Sequence, residues 1–225
     1  MAAPEIPATW SDLILWGQER YRDRRFGQDE FIPSRPGLLY LVHQGAARIL
    51  GFPAPDAPPA LLGIWRAGQP YTIVGHSPFE MRVYAHLEET AVVWLYWREL
   101  QQWPALYQAI LEQFHQRHQS QLAWLTLLGQ KSTLKRLLYF WLLLSREVGE
   151  ISPEGYRIPF PLTHCQIAQA IASTRVTVSR LLGRLQRQGV LISESDRYWR
   201  VNLTALQSEL LSETGSPMTE DGSLS

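Results

Sequence analysis

LTHCQIAQAIASTRVTVSRLLGRLQRQGVL, residues 162–191, holds two amphipathic segments on either side of a short polar break. Thr163 followed by Gln166 has the spacing of a capping box, which predicts a helix from Thr163 with Ile167, Ala168 and Ile171 facing inward. Ala172 and Ser173 end it. Ser173 or Thr174 then caps a second helix that runs to about Gln188, with Gly189 at its C-terminal end. Two helices joined by so short a turn form a helix-turn-helix.

Helical geometry places Val178, Leu181, Leu182 and Leu185 of the second segment on one side and Val176, Arg180, Gly183 and Arg187 on the other. A solvated basic face is the bland reading of the second set, but solubility alone does not select a valine and a glycine there. Glycine permits close approach, arginine bonds a guanine edge bidentately, and a small apolar side chain touches a thymine methyl. Arg175 stands at the helix start, the end that enters the major groove in this motif. The second helix therefore reads as a DNA-recognition helix. Beyond it, VLISESDRYWRVNL (190–203) predicts a strand, a polar turn at Glu194 to Arg197 and a second strand. This is the pattern of a wing with Arg197 and Arg200 beside phosphates, and equally that of a plain stabilising hairpin.

Charge is distributed accordingly. The chain of 225 residues has a formal net charge of zero, yet residues 131–212 carry 11 Lys+Arg against 6 Asp+Glu, whereas residues 1–130 carry 10 against 12. The basic excess sits with the helix-turn-helix, where attraction to phosphates needs it. The last segment, 213–225, is acidic and is expected to be disordered.

Upstream, short apolar runs at 38–42, 47–50, 60–65, 71–74, 81–85 and 91–97 are cut by PSRPG, FPAPDAPP, RAGQP and GHSP, which predicts an antiparallel sandwich or small barrel from Phe26 to about Trp97. The proline-rich 52–60 reads as a surface hairpin loop. From Pro104 to Gly129 turn residues vanish, and Tyr107, Ile110, Phe114, Arg117, Gln121, Trp124 and Leu128 recur three and four apart on one side of a long helix. Such a helix between two domains suits pairing with its twin, so Tyr107, Ile110, Phe114, Trp124 and Leu128 are expected at a dimer seam. A further helix spans about Ser132 to Val148, with Leu134, Leu137, Leu138, Trp141 and Leu142 at helical spacing and Gly149 as its stop.

Several classes are disfavoured. An apolar fraction of 45% with 19% charged residues is a globular balance, not a disordered one. No apolar run reaches the roughly 18–20 residues that span a bilayer, and MAAPEIPATW lacks a signal-peptide layout, so a cytoplasmic protein without membrane association is expected. The single cysteine, Cys165, excludes an internal disulfide and a multi-cysteine cluster, and reads as a small packing residue. His115 and His118 lie three apart without an acidic or cysteine partner at ligand spacing, which makes them solvated helix histidines. No nucleophile triad, phosphate loop or carboxylate pair stands at a motif spacing, so no catalytic residue, cofactor or metal is expected. The rival class is a protein-binding sensor or adaptor with weak DNA binding, to which the tryptophans at 94, 97 and 103 would supply an apolar pocket or interface.

Residues 162–191 resemble the DNA-binding motif of the cyclic-AMP receptor protein and fumarate–nitrate regulator family of bacterial transcription factors. TRVTVSRLLGRL is especially similar to the cyanobacterial nitrogen-regulator branch of that family. GLLYLVHQGAARIL (37–50) resembles the family's strand, glycine turn and strand, and the helix from Pro104 resembles its dimerisation helix. The resemblance implies an α+β chain with an antiparallel β-roll over 1–103, a dimerisation helix over 104–130 and a winged helix-turn-helix over 131–212. It implies a homodimeric regulator on an inverted GTA…TAC-like repeat of double-stranded DNA, with RNA polymerase as the family's partner. Base reading falls to Arg175, Val176, Ser179 and Arg180, and phosphate contact to Thr163, Thr174, Thr177, Arg184, Arg187 and Arg197. Cyclic-nucleotide binders of the family carry a Gly-Glu pair followed by Arg-Ser or Arg-Thr. GQPYTIVGHSPFEMRVYAHLEE (68–89) has neither, and its one arginine, Arg82, precedes valine. Cyclic AMP is therefore not expected as effector, which leaves another small molecule, a protein partner or none.

Overall fold

The computed structural model describes residues 9–54, 56–73, 75–194 and 197–214. The chain divides into two compact units, Met1–Gln119 and Ser120–Ser225, so the boundary falls inside the long helix.

The first unit opens with α1 (Trp10–Glu19), capped by Thr9 in a capping box with Asp12. Eight strands follow: β1 (Asp23–Phe26), β2 (Phe31–Ile32), β3 (Leu38–Gln44), β4 (Ala46–Phe52), β5 (Ala60–Arg66), β6 (Gln69–Thr72), β7 (Glu80–Ala85) and β8 (Thr90–Tyr96). They form two antiparallel four-stranded sheets, ordered β1-β8-β3-β6 and β2-β7-β4-β5. This is the expected β-roll, and β4 and β5 pair across the proline-rich connection as a hairpin. At the turn from β3 to β4, Gly45 takes φ +69°, and a Cβ there would lie 2.9 Å from the Thr90 backbone. No other residue fits without displacing β8.

Alternation along β3 and β8 divides the burial between two cores. Tyr40, Val42 and Val92 point between the sheets to join Phe26, Ile49, Trp65, Tyr71 and Val83. Leu39, Leu41, Val93 and Leu95 point the other way, against Leu13 and Trp16 of α1 and Leu100 of α2 (Trp97–Leu100). The long helix α3 (Pro104–Leu128) adds Leu106 and Ile110 to that second core, with Tyr107 and Phe114 packed at its edge.

The residues expected at a dimer seam differ in how far their own chain covers them. Ile110 is fully buried within its own unit, Tyr107 and Phe114 pack beside it, and the Phe114 ring lies 5.9 Å from that of Trp97. Trp124 lies edge-on to Phe140 at 5.5 Å and donates from Nε1 to Glu147 at 3.2 Å. Of the five predicted seam residues only Leu128 is exposed; the apolar side chains that α3 leaves open are Leu111, Leu122, Leu125 and Leu128. His115 and His118 are exposed as well.

The second unit contains α4 (Thr133–Val148), capped by Ser132, then a hairpin of β9 (Glu150–Ser152) and β10 (Gly155–Arg157). There follow α5 (His164–Ala170), α6 (Arg175–Arg187), β11 (Leu191–Ser193), β12 (Trp199–Val201) and α7 (Leu203–Thr214). The small sheet runs β11-β12-β10-β9. Trp141 of α4 is fully buried, edge-on to Phe140 at 5.0 Å and 5.4 Å from Trp199. Neither β9, β10 nor α7 follows from the sequence reading, which carried the winged domain to 212. Glu213 and Thr214 continue α7, and the rest of the acidic segment lies outside the described residues. Among the described residues no helix is long and apolar enough to cross a membrane.

Candidate nucleic-acid interface

Thr163 caps α5 as expected: its side chain accepts from the Gln166 N–H at 3.1 Å, and the Gln166 side chain accepts from the Thr163 N–H at 2.9 Å. Ile167, Ala168 and Ile171 are buried, and Ala172 turns the chain with φ +50°. Arg136 of α4 braces this turn, donating to the carbonyls of Gln130 at 2.9 Å and Ala172 at 3.3 Å. Thr174 then caps α6 by accepting from the Thr177 N–H at 3.2 Å, while its hydroxyl donates to that of Thr177 at 2.9 Å.

The two faces of α6 are sharply different. Val178, Leu182 and Leu185 are fully buried and Leu181 nearly so, whereas Val176, two residues before Val178, is 80% exposed. Arg175, Arg180 and Arg187 are exposed beside it. Gly183 lies on this outer side too, and a Cβ there would meet only the Arg187 guanidinium at 3.7 Å. Nothing in the chain requires glycine at that position, although a helix-interior glycine costs about 0.5–1 kcal/mol relative to alanine. Ser179 lies between the two helices, hydrogen-bonded to His164 Nδ1 at 2.8 Å. Partial burial, and then the nearby Arg175 charge, push the His164 pKa below its ordinary value, so the ring is neutral at neutral pH.

The wing is tied to the start of α5. Trp199 Nε1 donates to the Leu162 carbonyl at 3.0 Å, and the Leu162 N–H donates to the Arg197 carbonyl at 2.9 Å. Arg197 takes φ +69°. Thr163, His164, Cys165, Arg175, Ser193 and Arg197 thereby line one cavity of about 500 Å³. This brings together two expected phosphate-binding residues, Thr163 at the start of α5 and Arg197 of the wing, with Arg175 of α6, which was expected to read bases. Cys165 is exposed there, which corrects its reading as a packing residue: on α5 it lies off the inward Ile167–Ala168–Ile171 face.

Two expected phosphate-side arginines are engaged elsewhere. Arg184 pairs with Glu209 at 2.6 Å and Glu213 at 3.4 Å, both on α7. Arg200 is bound to Glu154 and Glu194, and Arg157 donates to Glu194 at 3.0 Å. Hydrogen bonds from Arg157 and then Arg200 hold the Glu194 carboxyl below its usual range. In the first unit, Arg82 is likewise engaged, by Glu80 at 2.7 and 2.8 Å, and lies 4.6 Å over the Phe52 ring.

A β-roll, a long helix and a C-terminal winged helix-turn-helix with an arginine-bearing outer face together define a Crp/FNR-like fold. Residues 135–209 match the Crp-like helix-turn-helix domain, and the chain carries that domain. A 66-residue segment is 50% identical to the global nitrogen regulator of Synechocystis sp., covering 29% of each chain. The match therefore spans about three tenths of that regulator's length. Two solved structures share the fold over most of the chain. A CooA mutant from Carboxydothermus hydrogenoformans has TM-score 0.70 and 22% identity, covering 84% of this chain and 87% of its own. FixK2 from Bradyrhizobium japonicum has TM-score 0.68 and 20% identity, covering 83% of this chain and 95% of its own.

Proposed function

We propose that the chain is a homodimeric, sequence-specific transcription regulator that binds an inverted GTA…TAC-like repeat. The observation that carries this reading is the outer face of α6, where an 80% exposed valine stands among exposed arginines on a helix whose other face is fully packed. Arg175, Val176, Ser179 and Arg180 read bases, Ser179 being oriented by His164. Thr163, Thr174, Thr177, Arg187 and Arg197 contact phosphates; Arg184 joins them only on release from α7. The dimer seam is the exposed set Leu111, Leu122, Leu125 and Leu128 of α3. RNA polymerase is the expected partner of the bound dimer.

Selection of bound duplexes from a random pool tests this. The enriched sites should be inverted repeats with half-site centres about one helical turn apart, roughly 34 Å. Enrichment without a repeat, or salt-sensitive retention of every sequence alike, contradicts the reading.

Cyclic AMP is not the effector. In the segment where the family holds a cyclic nucleotide, the one arginine, Arg82, is forked by Glu80 on the same strand. Millimolar cyclic AMP is expected to leave both the melting temperature and the DNA affinity unchanged. A concentration-dependent rise in melting temperature would show that the nucleotide binds the folded state.

A further inference from the structure

The first unit contains a second concavity, built from β1, the β2–β3 connection, β3 and β8. It encloses about 210 Å³, and Arg24, Arg35, Tyr40, Trp94 and Tyr96 line it above a floor that includes Phe26 and Val92. None of these residues belongs to the segment 68–89, which corresponds to the family's nucleotide-holding region.

Strand register explains why Arg24 is unusual. Arg24 pairs with Val92, and Phe26 with Thr90. Alternation puts Arg24 on the same face of the sheet as Phe26, which belongs to the core between the sheets, while Arg25 takes the opposite face. Arg24, Arg25 and Arg35 are all exposed to solvent, so Arg24 is set apart by the face of the sheet it takes and not by burial. Arg24 lines a cavity that Arg35 also lines, and neither guanidinium makes an ion pair or hydrogen bond among the described residues. Two exposed guanidiniums at the edge of one concavity raise its positive potential and attract an anion to it.

The rest of the wall is aromatic and held in place. Tyr40 is buried, stacked on Tyr71 at 5.0 Å, and its oxygen accepts the Arg35 N–H at 2.7 Å. Its own hydroxyl proton engages no acceptor among the described residues. Trp94 and Tyr96 meet edge-on at 6.1 Å. Arg22, anchored by Glu99 at 2.6 Å, lies 4.9 Å over Trp94 and 5.4 Å over Tyr96. The rings are therefore positioned before anything binds.

We infer that this concavity is a binding site for a small planar anion, its carboxylate or phosphate head held by Arg24 and Arg35 and its ring seated against Tyr40, Trp94 and Tyr96. Guanidinium forks suit either head group, and aromatic walls suit a flat body. The volume sets the size. At about 210 Å³ the concavity falls below the roughly 300–1,000 Å³ of sites for drug-sized ligands, a size that suits a single-ring acid.

Benzoate and phenyl phosphate, titrated separately into the full chain without DNA, test the inference by tryptophan fluorescence and thermal shift. At least one should bind saturably and raise the melting temperature, and the tighter of the two identifies the head group. Arg24→Ala and Arg35→Ala should each weaken that affinity by about tenfold or more, because each removes a charge-assisted hydrogen bond. Arg25→Ala makes the same charge change on the opposite face and should bind as wild type does. Cyclohexanecarboxylate should bind more weakly than benzoate if the flat walls select the ring. Equal losses in all three arginine variants would indicate bulk charge attraction and overturn the site, as would a lack of saturation by either probe at about 10 mM. The unliganded melting temperatures of the variants separate a lost ligand from a lost fold. Because no DNA is present, the outcome is independent of the proposed reading of α6.

Discussion

Replacing Arg180 by alanine is expected to remove about 1–3 kcal/mol of discrimination at one guanine of each half-site, roughly a 5- to 150-fold loss against mismatched duplexes. Arg180 is exposed on the outer side of α6, and its removal leaves Val178 and Leu182 packed as before. Folding should therefore be unaffected and the loss confined to one base pair. Val176→Glu should act differently: a carboxylate accepts from a cytosine amine where valine touches a thymine methyl, so the preference should move from T·A towards C·G. Arg187→Ala supplies the contrast. A phosphate contact carries no base information, so all sequences should weaken by similar factors and the salt slope should flatten by about one unit. Competition binding of selected and single-mismatch duplexes at several salt concentrations distinguishes the three variants. An unchanged preference in Val176→Glu would remove α6 from the role of reader.

Replacing Trp141 by alanine should lower the stability of the second unit by about 3–5 kcal/mol. The side chain is fully buried and wedged between Phe140 at 5.0 Å and Trp199 at 5.4 Å. Trp199 in turn ties the wing to α5 through the Leu162 carbonyl, so a cavity at position 141 should loosen the support of Thr163 and Arg197 together. Trp141→Phe is the informative companion. The Trp141 Nε1–H is buried without an acceptor among the described residues. Phenylalanine gives up volume but also removes that unpaired donor, and its cost should stay below about 1.5 kcal/mol. Urea unfolding followed by circular dichroism checks both. A cost for Trp141→Phe as large as that for alanine would mean that the site requires the indole itself and not merely a filled volume.

The helix-turn-helix was legible because its signals are local. Thr163 and Gln166 are three residues apart, Thr174 stands just before its helix, and Gly189 closes it with φ +70°. The strands β3 to β8 were legible from apolar runs between turn residues, whereas β1 reads DRRF and β2 is two residues long, too polar or too short to register. Two helices had signals that went unused. Thr9 and Asp12 carry capping-box spacing before α1, and Asn202 accepts the Ala205 N–H at 3.1 Å at the start of α7. Along α3, burial against the chain's own sheet and burial against a twin impose the same three-and-four period, so the sequence does not separate Ile110, buried within its own unit, from Leu111, which is exposed. The engagement of Arg184 is not legible locally because its carboxylate partners Glu209 and Glu213 lie 25 and 29 residues further along the chain, and Arg200 meets Glu194 only once the wing folds.

The division of α6 into an inward and an outward set bears on how the chain can be altered. Val178, Leu181, Leu182 and Leu185 hold the helix in place, while Arg175, Val176 and Arg180 contribute nothing to that hold. On the proposed reading, specificity and foldedness are encoded on separate side chains of one element, and the outer set should be open to wholesale exchange, by libraries or by grafting, on an unchanged scaffold. The exception is Arg184, whose bonds to Glu209 and Glu213 make it the one residue of α6 at which retuning the reader also tugs on the C-terminal helix.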